Sequence, residues 1–214
     1  MVFFGKDKKR DIGTQRKIQY ERISKETQIR IPLLNIDGKG GSDISTGIGF
    51  LDHMLTLFSY HGLFDLEMKA SGDTHVDNHH LNEDIGLALG EAFKKALGDC
   101  MGIARMGSAE VPMDKAAAKV LVDLSNRPAF RLEKQIASGE EIKDDEGYSM
   151  HYAGDLFESF ANKLGMNLHV EIRGEGDMHH YLEAVFKAFG VAMDRATAID
   201  PRRAGEIPSS KGIL

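Results

Sequence analysis

The chain has 214 residues, 42% hydrophobic and 28% charged, with 27 basic against 33 acidic side chains and a formal charge of -6. That length spans one large domain or two small ones with a substantial core, and the composition is that of an ordinary soluble globular protein. The acidic balance gives no reason to expect a nucleic-acid or anionic-membrane partner, which usually needs a basic face, so small molecules are the expected partners.

The opening Met1-Val2-Phe3-Phe4 is followed by Gly5-Lys6-Asp7-Lys8-Lys9-Arg10 with no long apolar stretch, so neither a signal peptide nor a membrane span is expected and 1–16 reads as a mobile arm. The single cysteine, Cys100, excludes an internal disulfide and suits a reducing compartment, which makes the cytoplasm the expected location. From Lys17 to Asn35 short β-prone stretches alternate (18–23, then 28–31) and Asp37-Gly38-Lys39-Gly40-Gly41 supplies a turn, the pattern of a hairpin. Residues 50–60 are apolar at 50, 51, 54, 55, 57 and 58 with no breaker, which predicts a buried helix, and 63–70 alternates as a strand.

A polar turn leads into 79–98, an amphipathic helix stopped at Gly98. Strands are expected at 116–123 and 129–133 around the turn Ser125-Asn126-Arg127-Pro128, and the acidic stretch 138–147 reads as a solvated loop. A helix at 149–164, a strand at 168–173, the turn Gly174-Glu175-Gly176-Asp177 and a long amphipathic helix at 179–198 complete the chain before its last residues, 201–214. The series helix, strand, turn, helix therefore occurs twice, which indicates a tandem duplication with half-domains at 17–115 and 116–200.

The second helix of each half opens on the same string, His79-His80-Leu81-Asn82-Glu83 and His179-His180-Tyr181-Leu182-Glu183, which together hold four of the nine histidines. On a helix the first His and the Glu share a face while the second His is turned about 100° away, so each motif offers ligands in two directions. Imidazole with carboxylate suits a divalent first-row ion, and the lack of cysteine in either string argues against a soft, thiophilic site. One such string alone is more often a polar helix turn; two in matching contexts point to metal. His53 to His79 is 26 residues and His151 to His179 is 28, so His53 and His151 take equivalent places and raise the candidate ligands to eight, enough for two ions with positions left open.

Several strings, taken together, resemble the imidazoleglycerol-phosphate dehydratase family of histidine biosynthesis, over nearly the whole chain from about Arg22. They are Lys25-Glu26-Thr27, Gly47-Ile48-Gly49-Phe50-Leu51-Asp52-His53-Met54-Leu55, Asp77-Asn78-His79-His80-Leu81-Asn82-Glu83-Asp84, Pro112-Met113-Asp114, Asp123-Leu124-Ser125-Asn126-Arg127-Pro128, His179-His180-Tyr181-Leu182-Glu183-Ala184-Val185-Phe186-Lys187-Ala188 and Pro208-Ser209-Ser210-Lys211-Gly212. Asn78 stands where the family has Asp, Leu81-Asn82 where it has Thr-Val, Lys115 for Glu, Asn126 for Gly and Ser210 for Thr. None of these removes a candidate ligand, although Asn78 changes the charge beside the metal.

The resemblance implies an α/β (α+β) fold made by duplication of a half-domain with a sheet packed on helices. It also implies a large cubic homo-oligomer of twenty-four subunits built from trimers, and two Mn(II) ions per active site that bridge subunits. The reaction implied is loss of water from imidazole-glycerol phosphate through a metal-bound imidazolate and a diazafulvene-like intermediate. The expected ligands are His53, His79, His80, Glu83, His151, His179, His180 and Glu183. One ion is expected to pair His79, Glu83 and His151 with one His of the second motif, the other to pair Glu183 and the remaining His with His53 and His80. Glu26 is the implied acid/base, counted with Glu83 and Glu183 as the catalytic carboxylates. Arg105, Arg127, Lys187, Ser209 and Lys211 match phosphate-binding positions, which makes 201–214 a substrate-binding tail.

Read singly, those residues are a solvated strand glutamate, a loop cation, a turn residue, a helix lysine and a frayed end. His61, His75 and His169 are left out of the ligand set. Metal-dependent hydrolysis is a rival activity, weakened by the absence of His-Glu-x-x-His. A metal-storage protein is another rival, but it has no use for Glu26 or the phosphate-binding cations.

Overall fold

The computed structural model describes residues 16–75, 77–136 and 147–214. Apart from Arg16 the N-terminal arm lies outside the described residues, and so does the acidic stretch 138–146. Arg16 itself is held: its Nε donates to Asp37 Oδ2 at 2.9 Å and its Nη1 to the Thr197 carbonyl at 2.6 Å.

The first half comprises strands β1 (Lys17–Ile23), β2 (Thr27–Asn35) and β3 (Ser42–Ser45), helix α1 (Gly49–Gly62), strand β4 (Asp65–Gly72) and helix α2 (His79–Leu97). The second repeats that order with β5 (Met106–Met113), β6 (Ala116–Asp123), β7 (Ala129–Ile136), α3 (Met150–Leu164), β8 (Asn167–Gly174) and α4 (Met178–Thr197), before a 3-10 turn at Pro201–Arg203. The sheets run β1-β2-β4-β3 and β5-β6-β8-β7. In each, the first three strands are antiparallel and the last pair parallel, because a helix carries the chain back between the parallel strands. The tandem duplication read from the sequence is thus two similar halves, each a four-stranded mixed sheet with helices.

Some elements differ from the sequence reading. The β1-β2 turn is closed at Ser24, whose N–H donates to the Thr27 carbonyl at 2.9 Å, and Asp37–Gly41 links β2 to β3. The strand expected at 63–70 begins at Asp65, because Leu63 takes a left-handed φ of 56° as the cap of α1. Strand β5 was not anticipated, and it pairs along its whole length with β6, so 106–113 belongs to the second sheet although it was placed in the first half.

One face of each central strand is buried, as the alternation in β2 and β6 requires, and the helices cover that face. Helix α2 packs on β1 and β2 and α4 on β5 and β6, while α1 meets α4 and α2 meets α3, so the four helices lie between the sheets. Phe58 of α1 touches Phe93 of α2, Phe160 of α3 and Phe189 of α4 at centroid distances of 6.0, 6.2 and 5.0 Å, so one ring from each helix meets at the centre. The helix pairs approach closely at matched glycines. A Cβ on Gly90 would lie 2.8 Å from the Phe160 carbonyl oxygen, and one on Gly190 would lie 2.5 Å from that of Phe58.

Asp84, buried inside α2, is held to the first sheet by Arg22 Nε at 2.8 Å and by the Thr27 hydroxyl. That pairing fixes α2, and with it the first His-His-x-x-Glu string, against its own sheet.

Candidate functional site

Both His-His-x-x-Glu strings open a helix. Asp177 caps α4 by accepting from the His180 N–H at 3.0 Å, and on α2 Asp77 accepts from the His79 N–H at 2.8 Å, while Asn78 makes no side-chain cap. A cap of this kind sets where the first turn starts, and so where its histidines point.

On α4, Glu183 Oε1 lies 3.1 Å from His179 Nε2 on the same helix and 3.0 Å from His53 Nε2 on α1. Glu183 is only 8% exposed. Burial pushes its carboxyl up, but hydrogen bonds from Lys187 and His53, the Lys187 charge and the His179 hydrogen bond outweigh burial and hold it at about 2. Lys187 Nζ sits 2.5 Å from Glu183 Oε2 and 3.3 Å from Met113 Sδ.

On α2, His79 presents its two ring nitrogens to different carboxylates: Nδ1 lies 2.8 Å from Asp155 Oδ2 on α3, and Nε2 lies 3.6 Å from Glu83 Oε2. His151, one turn before Asp155, places Nε2 3.8 Å from the same Asp155 oxygen and stacks on His79 at 6.3 Å with a 13° interplanar angle. The Asp155 hydrogen bond holds the His79 imidazole above its ordinary pKa.

Two groups of potential metal ligands therefore form in one chain, His53 with His179 and Glu183, and His79 with His151 and Asp155, each with ligand atoms within 4.8 Å of one another. Cis positions of an octahedral ion with bonds of about 2.2 Å are roughly 3.1 Å apart. The separations around Glu183 match that spacing, and imidazole with carboxylate is the donor set of a divalent first-row ion, so the residues fit the metal that the sequence implies.

His80 and His180 belong to neither group. His80 Nδ1 lies 3.1 Å from Asp73 Oδ2 and 4.0 Å from Glu26 Oε2, which sets the expected acid/base beside an expected ligand. His180 Nδ1 lies 2.5 Å from Asp177 and its Nε2 3.2 Å from Asp114. Hydrogen bonds that Asp73 and Asp177 accept raise the pKa of His80 and His180 respectively.

The phosphate candidates are spread out. Lys187 is in the Glu183 group. Arg105 forks onto Asp123 with Nε at 2.7 Å and Nη2 at 3.1 Å, and its Nη1 donates to the Pro208 carbonyl at 3.0 Å. It thereby anchors the segment carrying Ser209 and Lys211, where Ser209 Oγ accepts from the Lys211 N–H at 3.2 Å. Arg127 is exposed in the turn before β7.

Sequence reasoning missed Asp155, and it mispaired His151 with His53. Helices α1 and α3 each end on a left-handed residue, Leu63 and Gly165. Asp155 stands as far before Gly165 as His53 before Leu63, so Asp155 is the counterpart of His53 and His151 lies one turn earlier. The available signal was the i,i+4 pair His151 and Asp155, which share a helix face.

A profile of the family described as imidazoleglycerol-phosphate dehydratase matches residues 46–193. An imidazoleglycerol-phosphate dehydratase of Prochlorococcus marinus (strain AS9601) is 48% identical over 204 residues, covering 95% of this chain and 98% of that protein. One from Geobacillus kaustophilus is 46% identical, covering 93% and 99%. Among solved structures, the Staphylococcus aureus enzyme superimposes with a TM-score of 0.74 at 32% identity over 86% of this chain and 99% of its own. The chain belongs to the imidazoleglycerol-phosphate dehydratase family, hydro-lyases of histidine biosynthesis.

Proposed function

We propose that the two histidine-carboxylate groups hold two Mn(II) ions per active site and that the chain dehydrates D-erythro-imidazole-glycerol phosphate to imidazole-acetol phosphate across them. One observation carries this reading: the duplicated helices build two ligand groups, His53 with His179 and Glu183, and His79 with His151 and Asp155, and the imidazole of the substrate has two nitrogens to be held. When bound, divalent ions supply the Lewis acidity that favours the ring as its anion.

Glu26, 59% exposed and beside His80, then acts twice. As an acid it protonates the hydroxide that the ring's electron pair expels from the attached carbon, so water leaves and a diazafulvene-like species remains. Now a carboxylate, Glu26 takes the proton from the next carbon, and the electron pair of that bond forms the enol as the ring regains its own. The enol tautomerises to the ketone. Arg105, Arg127, Lys187, Ser209 and Lys211 bind the phosphate through charge-assisted hydrogen bonds and hold the reacting carbons still. Glu83 and Glu183 complete the set of carboxylates around the ring.

His80 and His180 lie outside both in-chain groups, and Ile23, Tyr60 and Met106 are 61%, 63% and 63% exposed. Both features suit a homo-oligomer, twenty-four subunits built from trimers, in which these histidines complete a neighbour's centre. The lone cysteine suits a cytoplasmic site of action. No helix among the described residues is long and apolar enough to cross a membrane.

The test reloads metal-stripped protein with Mn(II) and follows turnover by the absorbance of the enolised ketone. Activity should stay near background until the second ion per subunit is added, and full activity at one ion would overturn the binuclear reading. Sizing under chelation checks the assembly: a particle unchanged by metal removal would count against shared centres.

A further inference from the structure

The two halves share one frame along their second helices, in which His79, Glu83 and Gly90 of α2 correspond to His179, Glu183 and Gly190 of α4. The caps of α1 and α3 set the frame of the first helices. Exchanges at the ligand groups break the symmetry of this frame. His53 has Asp155 as its counterpart. Lys187, whose ammonium neutralises Glu183 at 2.5 Å, has Leu87 as its counterpart.

The α1/α4 group is thus two imidazoles and one carboxylate with an adjacent cation. The α2/α3 group is His79, His151 and Asp155, with a second carboxylate, Glu83, 3.6 Å from the other ring nitrogen of His79, and it has no lysine in the Lys187 place. His151, one turn back on the Asp155 face of α3 and stacked on His79, restores the imidazole that the exchange of His for Asp removes.

We propose that the two metal centres are unequal by construction. The α2/α3 centre, with Asp155 in the place of a histidine and His151 as its added imidazole, binds a divalent cation first and more tightly, and accepts oxygen-preferring ions. The α1/α4 centre, whose carboxylate carries the Lys187 ammonium, fills second. This rests on the reading of both groups as metal centres. The physical grounds are Coulombic and chemical. An extra carboxylate without a neighbouring ammonium deepens the potential at a cation, and carboxylate oxygen suits Mg(II) and Mn(II) whereas imidazole suits later first-row ions.

The experiment titrates metal-stripped full-length protein with Mn(II) and follows the six-line paramagnetic resonance of the free ion. Two classes of sites in equal number are expected, differing in Kd by at least about tenfold. Millimolar Mg(II) should displace Mn(II) from the tight class alone. Asp155→His should bring the two classes within about threefold of each other, and Leu87→Lys, a change at a partly exposed position, should weaken the tight class independently. A single class in the wild type, or two classes that neither substitution moves, would overturn the proposal and leave the binuclear reading standing. Protein that binds no Mn(II) would overturn both.

Discussion

His53 on α1 and Glu183 on α4 meet at 3.0 Å although 130 residues separate them. Their contact joins the first helix of one half to the last helix of the other, so the ligand group around Glu183 exists only when the halves are packed together. Glu183→Gln keeps the shape and removes the charge. It should cut bound Mn(II) from two ions per subunit to one and lower turnover by at least about 100-fold. It should also destabilise the protein by about 2 kcal/mol, because the Lys187 ammonium, 17% exposed, loses its anion. Metal analysis and turnover on the same sample check this, and retention of both ions would remove Glu183 from the ligand set.

The same helix pair is set by Gly190. Its substituted Cβ would come within 2.5 Å of the Phe58 carbonyl and 2.9 Å of the Gly62 nitrogen, both backbone atoms that cannot step aside. Gly190→Ala should cost about 1–3 kcal/mol in denaturant unfolding and weaken Mn(II) binding, since parting α1 from α4 parts His53 from Glu183. Gly154→Ala is the contrast. Nothing lies within 4 Å of a Cβ there, so removing glycine from the interior of α3 should stabilise by about 0.5–1 kcal/mol. Equal effects at the two positions would contradict the close packing.

Asp65 ties the β2-β3 turn to β4. It accepts from the Lys39 N–H at 2.9 Å, the Asn35 amide at 2.8 Å and the Gly41 N–H at 3.1 Å, and these bonds, that of Lys39 foremost, outweigh burial and hold its carboxyl below the ordinary range. A carboxyl depressed in the folded state stabilises fully above its unfolded value and less as pH falls through the folded one. The stability difference between wild type and Asp65→Asn should therefore be constant near neutrality and shrink below about pH 4. Urea midpoints across that range decide it, and a difference that grew on acidification would be the wrong sign.

Arg105 ties the C-terminal segment to β6 through Asp123 and the Pro208 carbonyl. Arg105→Met should free that segment and raise KM about tenfold with a smaller change in kcat, because hydrogen bonds to charged groups contribute roughly 1.5–3 kcal/mol. An unaltered KM would separate Arg105 from phosphate binding.

Much of the architecture is legible in local pattern. The i,i+4 apolar rows of 50–60 and 179–198 and the alternation of 116–123 are consequences of helix and strand geometry, and the structure has α1, α4 and β6 there. Strand β5 escaped notice because Gly107 and Pro112 lower its strand propensity. Gly107 is needed where a Cβ would lie 1.9 Å from the Ala192 carbonyl, and Pro112 is tolerated because β5 is an edge strand. Both reasons lie in the partner element and neither in the segment itself.

The sequence by itself determined the duplication, the helical placement of both His-His-x-x-Glu strings and the imidazole-carboxylate chemistry, because these depend on residue type and on spacing within one element. Only the tertiary structure decided which histidines meet. It set His53 against Glu183 and Asp155 against His79, and turned His80 and His180 toward Asp73 and Asp177. Helix phase and the crossing of α1 on α4 and α2 on α3 fix those contacts, and a shift of one turn, the distance between His151 and Asp155, changes the ligand without disturbing the pattern that predicts the helix.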